Sequence, residues 1–202
     1  MGRRATWSEP ELVNAVMAVF RRKGFAQTSV RDLEAATGLH PGSLYKAYGN
    51  KESLFAAVVT AYNDRVVAHR VHTHLDAAEP PLQGIHTFFT STFDGGEEHN
   101  PGCLLTTSAV EAPALPGTAR DGVAAGLDLI EDGFRRLLER ARAAGDIAAT
   151  APIDQLASQL LALYQGVLVL VRFGTPAARL AAVVEHAVPA ITAYDHRPEG
   201  PR

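Results

Sequence analysis

Gly24-Phe-Ala-Gln-Thr-Ser-Val-Arg-Asp-Leu-Glu-Ala-Ala-Thr-Gly-Leu-His-Pro-Gly-Ser-Leu-Tyr-Lys-Ala-Tyr-Gly-Asn-Lys-Glu-Ser-Leu-Phe55 is the stretch that decides the fold. Thr28 or Ser29 offers a short acceptor side chain at the start of a helix running through Ala36. Val30, Leu33 and Ala36 share its inward face by spacing. Gly38 ends that helix, since a glycine adopts positive φ without a steric penalty. Leu39 to Tyr48 form a second short helical piece, with Pro41 in its first turn. Ala35 and Ala36 are small enough for two helices to approach closely, and Leu39 and Leu44 plug the second piece into the first. Two short helices joined by a tight glycine-containing turn make a helix-turn-helix layout.

Working outward, a helix is predicted from about Glu9 to Lys23, with Leu12, Val13, Val16, Val19 and Phe20 on one face and Gly24 at its end. Asn50 precedes a long helix from Lys51 to about Leu75, burying Leu54, Phe55, Val58, Val59, Tyr62 and Val66. Pro80-Pro81 marks a turn before a helix to about Phe93, and Asp94 to Glu98 reads as a mobile loop. Further helices are expected from Asn100-Pro101-Gly102 to before Pro113, from Pro116 to Ala144, from Pro152 to Phe173 and from Pro176 to about Tyr194. The tail from His196 to Arg202 reads as disordered. Strand signals are nearly absent, so the class is all-α with about nine helices.

An apolar fraction of 47% supports a real core. No run of about 18 apolar residues is present, and Leu160 to Val171 is interrupted by Tyr164, Gln165 and Gly166, so no membrane partner is expected. The polar first ten residues carry no signal peptide, and the single cysteine, Cys103, fits a reducing cytoplasm. The net charge of −3 is uneven: residues 1–51 hold eight Lys/Arg and four Asp/Glu, or +4, leaving −7 elsewhere. A basic first quarter on an acidic body agrees with a polyanion partner for that quarter, or with a merely solvated charged face.

Gly24-Phe25, Thr28-Ser29-Val30, Ala35-Ala36, Gly38, Gly42-Ser43-Leu44-Tyr45, Tyr48 and Lys51-Glu52-Ser53-Leu54 together resemble the N-terminal pattern of the TetR family of bacterial transcriptional regulators. The resemblance covers about the first 65 residues and implies a helix-turn-helix domain over 6–66. A helical sensing and dimerisation domain over 67–195 would follow, with 196–202 as tail. It implies double-stranded operator DNA as partner, a homodimer through the last two helices, an unidentified small-molecule effector, no cofactor and no enzymatic activity. By carry-over and by chemistry, Thr28, Ser29, Arg31, Tyr45, Tyr48 and Lys51 are candidates for phosphate. His40, Pro41, Gly42, Ser43 and Lys46 would lie in the major groove, with His40, Ser43 and Lys46 the candidates for base contact. Tyr48 reads equally as core, and His40 equally as a helix cap. Many relatives carry Ser-Lys where this chain has His40-Pro41, which bears on base preference and not on the fold.

For the sensing half, Tyr62, Phe88, Phe89, Phe93, Phe134 and Tyr164 are candidate pocket walls, or simply core. Gly-Cys103-Leu-Leu resembles a subgroup that includes repressors of the N-ethylmaleimide reductase type, in which a cysteine here senses electrophiles; an inert thiol is the other reading. Cys103 is expected in the first turn of its helix. Leu156, Leu160, Leu163, Val167, Val171, Val183, Val184 and Val188 offer more apolar surface than one protomer covers, or form its core alone. His69 and His72 share a helix face, and with His74, His99 or Glu98 are conceivable metal ligands; their spacing matches no established site, and no metal is assigned. Two rivals stand beside a repressor: an enzyme, for which no nucleophile elbow, phosphate loop or paired carboxylates are found, and a DNA-bound adaptor switched by a protein, which needs no small-molecule pocket. Activation in place of repression stays open.

Overall fold

The computed structural model describes residues 8–94 and 102–192, and every regular element among them is helical. The chain forms two compact units: Met1–Val67 joined by Pro101–Gly126, and Ala68–Asn100 joined by Leu127–Arg202. The loop read at Asp94–Glu98 lies outside the described residues beyond Asp94, as do His99, Asn100, Pro101 and the tail.

In the first unit, α1 (Glu9–Gln27) starts where Glu11 accepts the Ser8 N–H at 2.9 Å and Pro10 sits in the first turn. It buries Leu12, Val13, Val16, Met17, Val19 and Phe20. Its helical backbone is interrupted at Gly24, with φ 77° and ψ 177°, a conformation close to glycine-only. α2 (Val30–Thr37) is capped by Ser29, whose hydroxyl accepts the Asp32 N–H at 3.2 Å, and it stops at Gly38 with φ 64°. α3 (Pro41–Tyr48) and α4 (Lys51–Tyr62) follow, α4 capped by Asn50 accepting from Ser53 N–H at 2.8 Å. Phe20, Phe25 and Phe55 join these helices, with Phe55 centroids 4.8 Å and 4.9 Å from Phe20 and Phe25. α7 (Leu104–Val110) packs on α1 and α4.

Several inward assignments shift. Val30 is 40% exposed and Ala35 is exposed, so Leu33 and Thr37 carry the buried face of α2. After Tyr62 the chain runs as a π-helical segment over Asn63–Val67, then α5 (Ala68–Val71), then a second π segment over His72–Asp76. A π turn holds one residue more than an α turn, so Val67 is buried where the 3.6 period points to Val66, which is half-buried.

In the second unit, α6 (Pro81–Thr90) ends three residues before the expected Phe93. It packs on the second π segment and on α10 (Ala177–Thr192), which also packs on α9 (Ile153–Arg172). The chain passes between the units within α8 (Gly117–Ala144), whose later part buries Ile130, Phe134, Leu137, Leu138 and Ala141. By length and composition α9, at 20 residues, reaches what a membrane crossing requires, although the apolar runs of the sequence fall short of it. It buries Leu156, Leu160, Tyr164 and Val167 on one face as a bundle helix does.

Candidate nucleic-acid interface and sensing residues

The reader is built from its caps. Ser29 and Asp32 close a reciprocal box: Asp32 Oδ2 accepts the Ser29 N–H at 2.9 Å. Lys23 Nζ lies 2.6 Å from Asp32 Oδ1, and this bond, with those from Ser29, draws the Asp32 pKa down to about 2. Thr28 is the one candidate on this turn that faces inward. It is 1% exposed and its hydroxyl donates to Gly24 O at 2.6 Å, so that side chain is committed to the α1–α2 joint. On α3, His40 is the N-cap, its Nδ1 accepting the Gly42 N–H at 3.2 Å, with Pro41 following in the first turn. Leu44 is buried and seats the helix, while His40, Gly42, Ser43 and Lys46 are exposed. Lys46 and Arg31 are exposed cations with no ion pair among the described residues.

The two tyrosines differ from each other. Tyr45 buries its hydroxyl without a hydrogen-bond partner, so in this conformation it does not present it to a phosphate. Tyr48 is half-buried and donates to Glu9 Oε1 at 3.5 Å; burial first, then the Glu9 charge, push its pKa up. Lys51 holds its ammonium 4.6 Å from the Phe25 ring centroid. Burial lowers its pKa, while the charges of Glu111 and Asp32 oppose that.

Tyr62 and Cys103 come together in the same unit as the reader. Cys103 is the N-cap of α7 and so lies just outside the first turn expected of it. It is half-buried, with the Tyr62 hydroxyl donating to its Sγ at 3.5 Å. Arg21 of α1 donates from Nε to Gly102 O at 2.7 Å, and its guanidinium stands 5.6 Å from the Tyr62 ring centroid. Glu111, at the end of α7, accepts the Phe25 N–H at 2.6 Å. Arg21 and Glu111 thus fasten the cysteine-bearing segment to α1 at both ends. Neither stands out in the sequence: Arg21 is one of three consecutive basic residues and Glu111 precedes an Ala-Pro-rich turn.

The remaining pocket candidates lie in the second unit. Phe88, Phe89, Phe134 and Tyr164 pack on one another, with centroids 4.7 Å apart for Phe88–Tyr164 and 5.3 Å for Phe88–Phe134 and Phe89–Tyr164. All four are at most 3% exposed, so they form a filled aromatic core, with Phe93 half-buried beyond α6. Among the described residues no group of three or more His, Cys, Asp or Glu side chains is placed to hold a metal ion; His69 and His72 are exposed, and His74 is half-buried 6.4 Å from Phe88.

A capped α2 and an α3 seated through Leu44 with a polar outer face define a helix-turn-helix DNA-binding regulator. Residues 12–58 match the family model described as bacterial regulatory proteins, tetR family, and residues 81–187 match the tetracyclin repressor-like C-terminal domain. The chain belongs to the TetR family and is a DNA-binding transcriptional repressor, not an enzyme. Among curated relatives, the transcriptional repressor DhaR of Mycobacterium sp. (strain GP1) is 26% identical over 158 residues, 77% of each chain. Among solved structures, a cysteine mutant of the TetR family regulator CifR, complexed with 26-bp operator DNA, is 29% identical with a TM-score of 0.81, covering 94% of this chain and 99% of that one. The reduced form of NemR from E. coli has a TM-score of 0.79 at 18% identity over 91% and 96% of the chains, a likeness of fold alone.

Proposed function

We propose that this repressor acts in the cytoplasm as a homodimer on a near-palindromic operator and is released by a small-molecule or electrophile signal. Two-fold symmetry places the two α3 helices in successive major grooves, about 34–36 Å apart. His40, Pro41, Gly42, Ser43 and Lys46 face base edges. Ser29, Arg31, Tyr48 and Lys51 hold phosphates, and Thr28 and Tyr45 support that surface from beneath. The dimer forms through α9 and α10.

The observation that carries the signal reading is the placement of Cys103. It stands 3.5 Å from Tyr62 of α4, on a segment that Arg21 and Glu111 tie to α1. A quinone adding to this thiol forms an S–C bond, and the thiol proton passes to a quinone oxygen. The adduct adds volume beside buried Tyr62, where close packing leaves no slack. The strain is carried into α1 and α4, which seat the reader, and favours the state that does not bind DNA.

The test uses an operator obtained by in vitro selection and fluorescence anisotropy. 1,4-Benzoquinone is expected to release the wild type, and Cys103→Ser is expected to bind the operator normally and resist release. Equal release of Cys103→Ser would refute the cysteine as sensor and leave the small-molecule route. The filled aromatic core favours a second reading, an adaptor switched by a protein partner. Under that reading no small molecule or electrophile releases the operator.

A further inference from the structure

Arg70 is a half-buried cation in the second unit without a carboxylate partner among the described residues. The ion pairs of that unit are made elsewhere: Asp76 with Arg136, Glu79 with Arg140, and Asp132 and Asp154 with Arg135. Its guanidinium carbon stands 5.0 Å from the Phe88 ring centroid. Its Nη2 donates to Phe88 O at 2.8 Å, to Ser91 Oγ at 3.1 Å and to Tyr164 Oη at 3.4 Å. The segment around it, His69-Arg70-Val71-His72-Thr73-His74, contains no acid. His74 has its pKa lowered by burial and then by the charges of Arg70 and His69.

A structural role explains part of this. Nη2 satisfies carbonyl and hydroxyl groups at the end of α6, as a basic side chain at a helix C-terminus does. That role uses one nitrogen of three. Nη1 and Nε keep a planar donor edge with no partner among the described residues, and a guanidinium fork matches a carboxylate in a bidentate pair. The backbone points the same way. Arg70 lies on the single α turn between two π segments, an irregularity that recurs at functional sites.

We propose that Arg70 anchors the carboxylate of an anionic effector at the rim of the aromatic core, with its apolar body lying against Phe88. This rests on the small-molecule reading above and names its chemical class: a monocarboxylic acid carrying a ring or short alkyl chain. Carboxylate oxygens take Nη1–H and Nε–H, and Ser91 is the neighbouring hydroxyl.

The experiment is calorimetric titration of the full chain with benzoate and hexanoate against benzamide, hexanamide and inorganic phosphate, with operator release followed in parallel by anisotropy. At least one carboxylate is expected to bind ~10-fold or more tightly than its amide, since hydrogen bonds to charged groups contribute more than neutral ones. Arg70→Gln is expected to lose that preference while binding the operator normally without probe. Arg70→Lys, which keeps charge without the fork, is expected to retain part of it. A purely structural Arg70 would instead lower thermal stability in both variants without touching the carboxylate-over-amide ratio, and that result overturns the proposal. So does a panel in which no carboxylate outcompetes its amide, or in which phosphate binds equally well. Carboxylate binding without operator release upholds the site and counts against the release mechanism alone.

Discussion

At the scale of single residues, Tyr45 presents a conflict that a substitution can resolve. Its hydroxyl is buried without a hydrogen-bond partner. An unsatisfied buried polar group costs about 1–3 kcal/mol. Tyr45→Phe removes that cost and keeps the ring that packs beside Leu44, so the free protein is expected to gain about 1 kcal/mol in chemical denaturation. Operator affinity should stay within a factor of ~2, since the buried atom makes no phosphate contact. A loss of fivefold or more would show the hydroxyl turning outward onto DNA. The sequence announces a tyrosine here but not which way its hydroxyl points, because both outcomes keep the ring in the same place. Thr28 has the same ambiguity. A hydroxyl beside a helix start either faces solvent or bonds back to the carbonyl four residues earlier, and Gly24 O takes it at 2.6 Å. Ser29, Gly38 and Asn50 were legible because a cap or a left-handed turn admits few residue types.

At the scale of elements, the helices announce themselves and their register does not. Val66 and Val67 are both apolar, so the sequence pattern accepts either one inward. Asn63 helps decide it: its Nδ2 donates to Gly122 O at 2.8 Å, a bond between segments far apart in sequence that accompanies the π turn. Gly84 offers a sharper test of packing against propensity. It lies inside α6, where alanine is favoured over glycine by up to about 1 kcal/mol. Yet a Cβ there would collide with the His74 carbonyl oxygen and come within 2.5 Å of Ala78 Cβ and 2.9 Å of Leu137 Cδ1. The first obstacle is backbone, which cannot swing aside. Overpacking costs about 1–3 kcal/mol and here outweighs the gain. Gly84→Ala is expected to lower the unfolding midpoint, and a rise would show that α6 slides freely against the second π segment.

At the scale of the whole molecule, the apolar surface of α9 bears on oligomeric state. Eight residues of the last two helices were read as a shared apolar surface. Leu156, Leu160, Val167, Val184 and Val188 are instead buried within the protomer's own unit, and Leu163, Val171 and Val183 are half-buried. A helix that is apolar nearly all round does not distinguish in its sequence the face turned to the core from the face turned to a partner. What stays open is Val169, Leu170 and Phe173, exposed by 49%, 39% and 86%. Exposed apolar surface of this kind marks an interface when it is contiguous. Burying a phenylalanine contributes about 1.5–3 kcal/mol, and two-fold symmetry counts it twice, so its loss weakens a dimer by ~100-fold or more. Phe173→Glu adds the cost of placing charge there. It is expected to sediment as a monomer at micromolar concentration and to bind a two-half-site operator at least ~10-fold more weakly than wild type, since each reader then binds alone. Val110 is 76% exposed on α7 and is the matched control. Val110→Glu should leave both sedimentation and operator affinity unchanged. A Phe173→Glu protein that remains dimeric and binds the operator as tightly as wild type would move the interface off this end of α9.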